Sequence, residues 1–132
     1  MIARISLLAL VGLLPLAATG QEVDCANAQS QVEMTYCAEQ DWMLADAALN
    51  DAYKAAMVVQ KSVDDGLEAK DRGAVVSLRD AQRAWITFRD AACAAEGYQM
   101  HGGSAEPMVI YGCRARLTDQ RVADLQILSE TN

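Results

Sequence analysis

The sequence predicts an all-α fold: a small, disulfide-stapled antiparallel bundle of three main helices. Three observations lead there. Glycine and proline are scarce inside two long stretches, runs of β-branched residues are absent, and alanine, leucine, methionine, glutamine and charged residues dominate. Apolar residues recur at helical rather than alternating spacing. Four cysteines in a short chain read as a disulfide framework.

Residues 1–20 read as an address. Arg4 supplies a positive n-region, Ile5 to Ala18 an apolar h-region, and Ala18-Thr19-Gly20 the small residues of a cleavage site after Gly20. The apolar run is shorter than the ~20 residues a spanning helix needs, and Pro15 interrupts it. Cys25 follows Glu22-Val23-Asp24, which is not the small apolar context of a lipoprotein site. The expected mature protein is one helical domain, residues 21–132, periplasmic or secreted, with no stable membrane insertion after signal cleavage.

The first helix is expected from about Val32 to about Val63. Ser30 is its N-cap and Glu33 completes a capping box. Trp42, Leu49, Tyr53 and Ala56 share one face, and Cys37, Leu44, Ala48, Ala52 and Val59 form an adjacent stripe. Asp64 to Gly73 is polar, holds two glycines and reads as a loop. The second helix is expected from about Ala74 to about Glu96, with Val75, Leu78, Ala81, Trp85, Phe88 and Ala92 inward and Gly97 as its stop. A loop over Gly97 to Glu106 follows. The third helix runs from about Pro107 to about Ser129, with Ile110, Leu117, Arg121, Leu125 and Leu128 inward. Gly112 is a candidate kink, and Thr118 a candidate cap for a separate final helix.

Short connections make neighbouring helices antiparallel. Cys37, Cys93 and Cys113 then lie near one end of the bundle, with Cys25 just ahead of the first helix. The favoured pairing is Cys25 with Cys37 and Cys93 with Cys113, although four cysteines allow three connectivities.

The formal net charge is −7, and loss of Arg4 deepens it by one. Such acidity argues against nucleic acid as a partner and suits steering toward a basic one. With His101 the only histidine and no CxxC spacing, no metal site is expected. No nucleophile–base arrangement, carboxylate pair or phosphate-binding glycine loop stands out, so neither a catalytic residue nor a cofactor is assigned and the chain is not expected to be an enzyme. Two constellations remain. Asp46, Asn50 and Tyr53 on the first helix, Gln82, Trp85 and Arg89 on the second, and Arg121 on the third can meet as an interhelical polar network. Tyr98, His101, Gly102, Gly103 and Ser104 lie in the loop between Cys93 and Cys113. A bridge there would pre-organise them as a partner-binding loop.

The order Cys25…Glu33…Cys37, Asp46-x-x-Leu49-Asn50-x-x-Tyr53, Ala81-Gln82-Arg83-Ala84-Trp85-x-x-x-Arg89-Asp90-x-x-Cys93, Gly102-Gly103-Ser104, then Cys113-x-x-x-Leu117-Thr118-x-x-Arg121 and Leu125 resembles the LprI-like family of small exported bacterial proteins. The resemblance implies a compact disulfide-bonded helical bundle and, from the family's name, binding and blocking of lysozyme. It carries no catalytic assignment. The functional expectation is an exported protein-binding module that inhibits a basic lysozyme. The alternative is a structural or accessory envelope protein that binds another protein or a cell-wall component.

Overall fold

The structure, a computed structural model, describes residues 22–130. The expected signal segment and its cleavage site lie outside the described residues. The chain forms three helices, α1 (Gln31–Asp65), α2 (Ala74–Gly97) and α3 (Glu106–Glu130), and no strand among the described residues. The all-α expectation holds, and each helix begins and ends within two residues of its predicted bounds.

Helix α1 starts where the sequence places it. Ser30 accepts a hydrogen bond from the Glu33 amide at 3.2 Å, and the Glu33 carboxylate accepts from the Ser30 amide at 3.0 Å. This reciprocal box satisfies two of the otherwise orphaned donors. The start of α2 uses a device that the sequence hides. Gly73, its N-cap, has no side chain to offer. Asp64, in the last turn of α1, reaches across instead and accepts from the amides of Gly73, Ala74 and Val75 at 2.8, 2.9 and 3.1 Å. These bonds hold the Asp64 carboxyl below its ordinary value, the Ala74 amide contributing most. One carboxylate thus caps the next helix and closes the turn between two helices.

The core is built from Leu49, Ala52 and Ala56 of α1, Leu78 of α2 and Leu125 of α3, with Tyr53, Met57, Trp85 and Val122 packed against it. Helix α3 lies along α1 more extensively than either lies against α2. The small Ala45, Ala52 and Ala56, all buried, allow that close approach. Several residues assigned inward from spacing turn out instead. Leu44 is 71% exposed and Phe88 60% exposed, and Ala48 and Ala81 are also exposed. Spacing defines a stripe on a helix, but the neighbours decide which stripe is covered. The face of α2 that is buried runs through Leu78, Gln82, Arg89 and Cys93, so two of its four largest inward side chains are polar.

Helix α3 continues unbroken through Gly112 and Thr118. Gly112 therefore marks no break. Thr118 is fully buried in mid-helix rather than capping a new one. Both bridges of the favoured pairing form, Cys25–Cys37 with Cα atoms 5.6 Å apart and Cys93–Cys113 at 5.4 Å. They gather the N-terminal segment, the end of α2 and the start of α3 at one end of the bundle. Each closes a loop short enough to contribute about 3 kcal/mol in the chain-entropy account.

Candidate functional site

The loop between α2 and α3 occupies the disulfide-stapled end. Cys93 lies one turn before the end of α2 and Cys113 two turns into α3, so the bridge spans the base of the loop. Gly97 sits in a helical conformation at φ −62°, so it does not stop α2 by a left-handed turn. Its role is close approach: a Cβ there would overlap Cγ1 of Ile110 and lie 3.0 Å from its Cδ1.

Beyond Gly97 a single 3-10 turn, Tyr98–Met100, leads into the glycines. Gly102 has φ +77°, which an L side chain rarely adopts. This backbone aims the Gly102 amide at the Glu106 carboxylate, which accepts it at 2.8 Å while its other oxygen lies 3.2 Å from His101 Nδ1. Glu106, in the first turn of α3, is held below its ordinary value, first by the Gly102 amide and then by His101. The His101 ring stacks on Tyr98 with centroids 4.3 Å apart. Turn bonds from Gly103 to the Met100 carbonyl and from Glu106 to the Gly103 carbonyl complete the loop. The outcome is a fixed loop that presents Tyr98, Met100 and His101 to solvent. Ser104 lies beside the start of α1, in a shallow depression with Gln31, Val32 and Thr35.

The second constellation divides into two separate contacts. Arg89, buried at 6% exposure, donates to Asp46 at 3.1 Å and Asp90 at 3.0 Å, with Thr118 Oγ1 at 3.4 Å. Its guanidinium lies 5.7 Å from the Trp42 ring and 5.3 Å from the Trp85 ring. A buried cation is thus balanced by two half-exposed carboxylates and two aromatic faces. Trp42 also faces Arg114 at 4.9 Å and stacks on Tyr111 at 5.6 Å. Burial pushes the Tyr111 phenol up, with Glu39 adding to the effect.

Arg121 donates to Gln82 at 3.0 Å, apart from the Arg89 cluster. Asn50 and Tyr53 make no side-chain hydrogen bond among the described residues and instead line an open groove between α1 and α2. Trp42, Asp90, Arg114 and Thr118 join this set only in the folded bundle. The Asp90 and Thr118 positions stood within the quoted motif, but nothing in a one-dimensional pattern says that they converge on Arg89.

The fold and its stapled end define a class: a small extracytoplasmic-type helical module, closed by two disulfides, with a pinned loop at its stapled end. Residues 24–125 match the family model described as lysozyme inhibitor LprI, and the chain belongs to that family. An uncharacterized protein of Rhizobium meliloti is 42% identical over 120 residues, covering 89% of this chain and 86% of its own length. The uncharacterized protein YecT of Escherichia coli is 36% identical over 58 residues, 43% of this chain and 36% of YecT. The crystal structure of a DUF1311 family protein from Pseudomonas putida superposes with a TM-score of 0.65 at 23% identity, covering 76% of this chain and 94% of that one; it shares the fold. No helix among the described residues is long and apolar enough to cross a membrane.

Proposed function

We propose that this chain is an exported protein-binding module that inhibits a lysozyme, with the loop from Tyr98 to Ser104 as its contact. The observation that carries the reading is the pre-organisation of that loop. The Cys93–Cys113 bridge, the Gly102–Glu106 bond and the Tyr98–His101 stack hold it in one shape before any partner arrives. Docking then costs little ordering entropy. Exposed aromatic and methionine side chains at its tip are the residue types that anchor protein interfaces. The net charge of −7 suits a basic enzyme and would raise the encounter rate. The family's description points to the same class of partner.

The test is a peptidoglycan lysis assay with lysozymes of several types, titrated with the oxidised protein at low and moderate salt. The expected result is stoichiometric inhibition that weakens as salt screens the steering and that falls when Tyr98 and His101 are replaced by alanine. A folded, fully oxidised protein that inhibits no lysozyme would refute the reading and favour an accessory envelope role with a different partner.

A further inference from the structure

On the face where α1 meets α2, about the middle of the bundle and away from the stapled loop, a solvent-open groove of about 530 Å³ carries an unusual charge pattern. Arg79 and Arg83 lie on its α2 wall one helical turn apart. Among the described residues, every other lysine and arginine side chain has a partner: Lys54, Lys61, Lys70, Arg89, Arg114 and Arg116 pair with carboxylates. Arg72 donates to a carbonyl and Arg121 to Gln82. Arg79 and Arg83 alone have none, in a chain with 18 acidic residues available to neutralise them. The groove's one carboxylate, Asp46, is already bonded to Arg89. The two free guanidiniums therefore give a locally cationic concavity on an acidic protein.

The neutral lining is equally specific in kind. Asn50 and Tyr53 carry unpartnered polar groups, and Gln82 uses its carbonyl for Arg121 while its amide donors stay free. Leu49 and Ile86 supply apolar wall. Planar amides, a phenol and forked cations together are suited to a ligand rich in hydroxyls that also bears an oxyanion.

We propose that this groove binds an acidic sugar unit, with Arg79 and Arg83 gripping its carboxylate or phosphate and Asn50, Tyr53 and Gln82 taking its hydroxyls. The site is separate from the loop and does not depend on the inhibitor reading.

The experiment is a two-dimensional NMR titration of the oxidised protein with N-acetylmuramate, glucuronate and glucose 6-phosphate, and with neutral N-acetylglucosamine as the control. The expected result is saturable shifts at α1 and α2 amides around the groove for at least one anion, with the neutral sugar at least about tenfold weaker. Saturation by the carboxylates only, or by the phosphate only, identifies which oxyanion the arginines select. The Arg79→Gln/Arg83→Gln protein, altered only at exposed positions, should lose about tenfold or more in affinity, and Arg79→Lys/Arg83→Lys should recover part of it. No saturation by any anion at about 10 mM, equal binding of neutral and acidic sugars, or undiminished binding by the glutamine variant would overturn the proposal.

Discussion

Replacing Gly97 with alanine tests how the stapled end is built. The helical φ of −62° means alanine suits the backbone, so propensity alone favours the substitution by at most about 1 kcal/mol. Packing opposes it. The new Cβ would overlap Ile110 Cγ1, whereas carbon atoms prefer about 3.5–4.0 Å, so Ile110 must retreat by about 1 Å or more. The overlapping atom is next to Cβ of Ile110 rather than at its tip, so a rotation of the terminal methyl cannot relieve it. Overpacking of this kind costs about 1–3 kcal/mol. The net expectation is destabilisation by about 1–2 kcal/mol, a fall in Tm of about 4–8 °C for a domain of this size. Thermal melts of the oxidised protein, run as a double-mutant cycle with Ile110→Ala, supply the assay. The alanine at 110 removes the obstructing atom, so Gly97→Ala should be neutral or stabilising in that background, with a coupling of about 1 kcal/mol or more. A Gly97→Ala protein that melts as high as the parent, or that loses the same amount in both backgrounds, would refute the reasoning.

Other expectations follow from the same geometry. Arg89→Ala should destabilise by about 3 kcal/mol in urea titrations, since it removes a buried cation from between two rings and from its carboxylates. Arg89→Met should cost less, about 1–2 kcal/mol, because the methionine keeps part of the packing and the half-exposed Asp46 and Asp90 can rehydrate. Cys93→Ala/Cys113→Ala should cost about 3 kcal/mol and broaden the NMR signals of Tyr98 to Glu106, while the Cys25–Cys37 end stays sharp. Acid should open the loop. Glu106 is lowered from 4.5, so its contribution is complete well above pH 4.5 and disappears as pH falls below 4.5 through the folded value. The Gly102 amide shift should report that titration, and Glu106→Gln should abolish it; a Gly102 shift that is flat through this range would contradict the assignment. Asp64→Ala should increase hydrogen exchange at the Ala74 and Val75 amides before the rest of α2, because both lose their acceptor.

The number, length and order of the helices were legible in the chain because their signals are local. Ser30 and Glu33 are three residues apart, and glycines cluster in the two connections. The scarcity of glycine and proline between them leaves long stretches with nothing to break a helix. Helix direction brought Cys37, Cys93 and Cys113 to one end of the bundle and made the observed pairing the favoured one of three, and the structure selected it. The loop's membership was also readable, because two cysteines bracket it. What covers each helix was not. Leu44 and Phe88 carry the right spacing for a core, yet α3 settles against the alanines of α1, and the polar Gln82 and Arg89 take the inward face of α2.

Likewise, Asp46 and Arg89 could be named as partners, but their enclosure by Trp42, Trp85, Asp90 and Thr118 depends on three helices arriving at once. The cap that Asp64 gives to α2 and the cationic groove left by Arg79 and Arg83 have the same origin. The Ser30–Glu33 cap, helical spacing and the extent of the loop between α2 and α3 are set by residues near one another along the chain, so the sequence alone determined them. Which carboxylate reaches which amide, and which arginines find no carboxylate, are properties of side chains brought together across the bundle, and only the tertiary structure decided them.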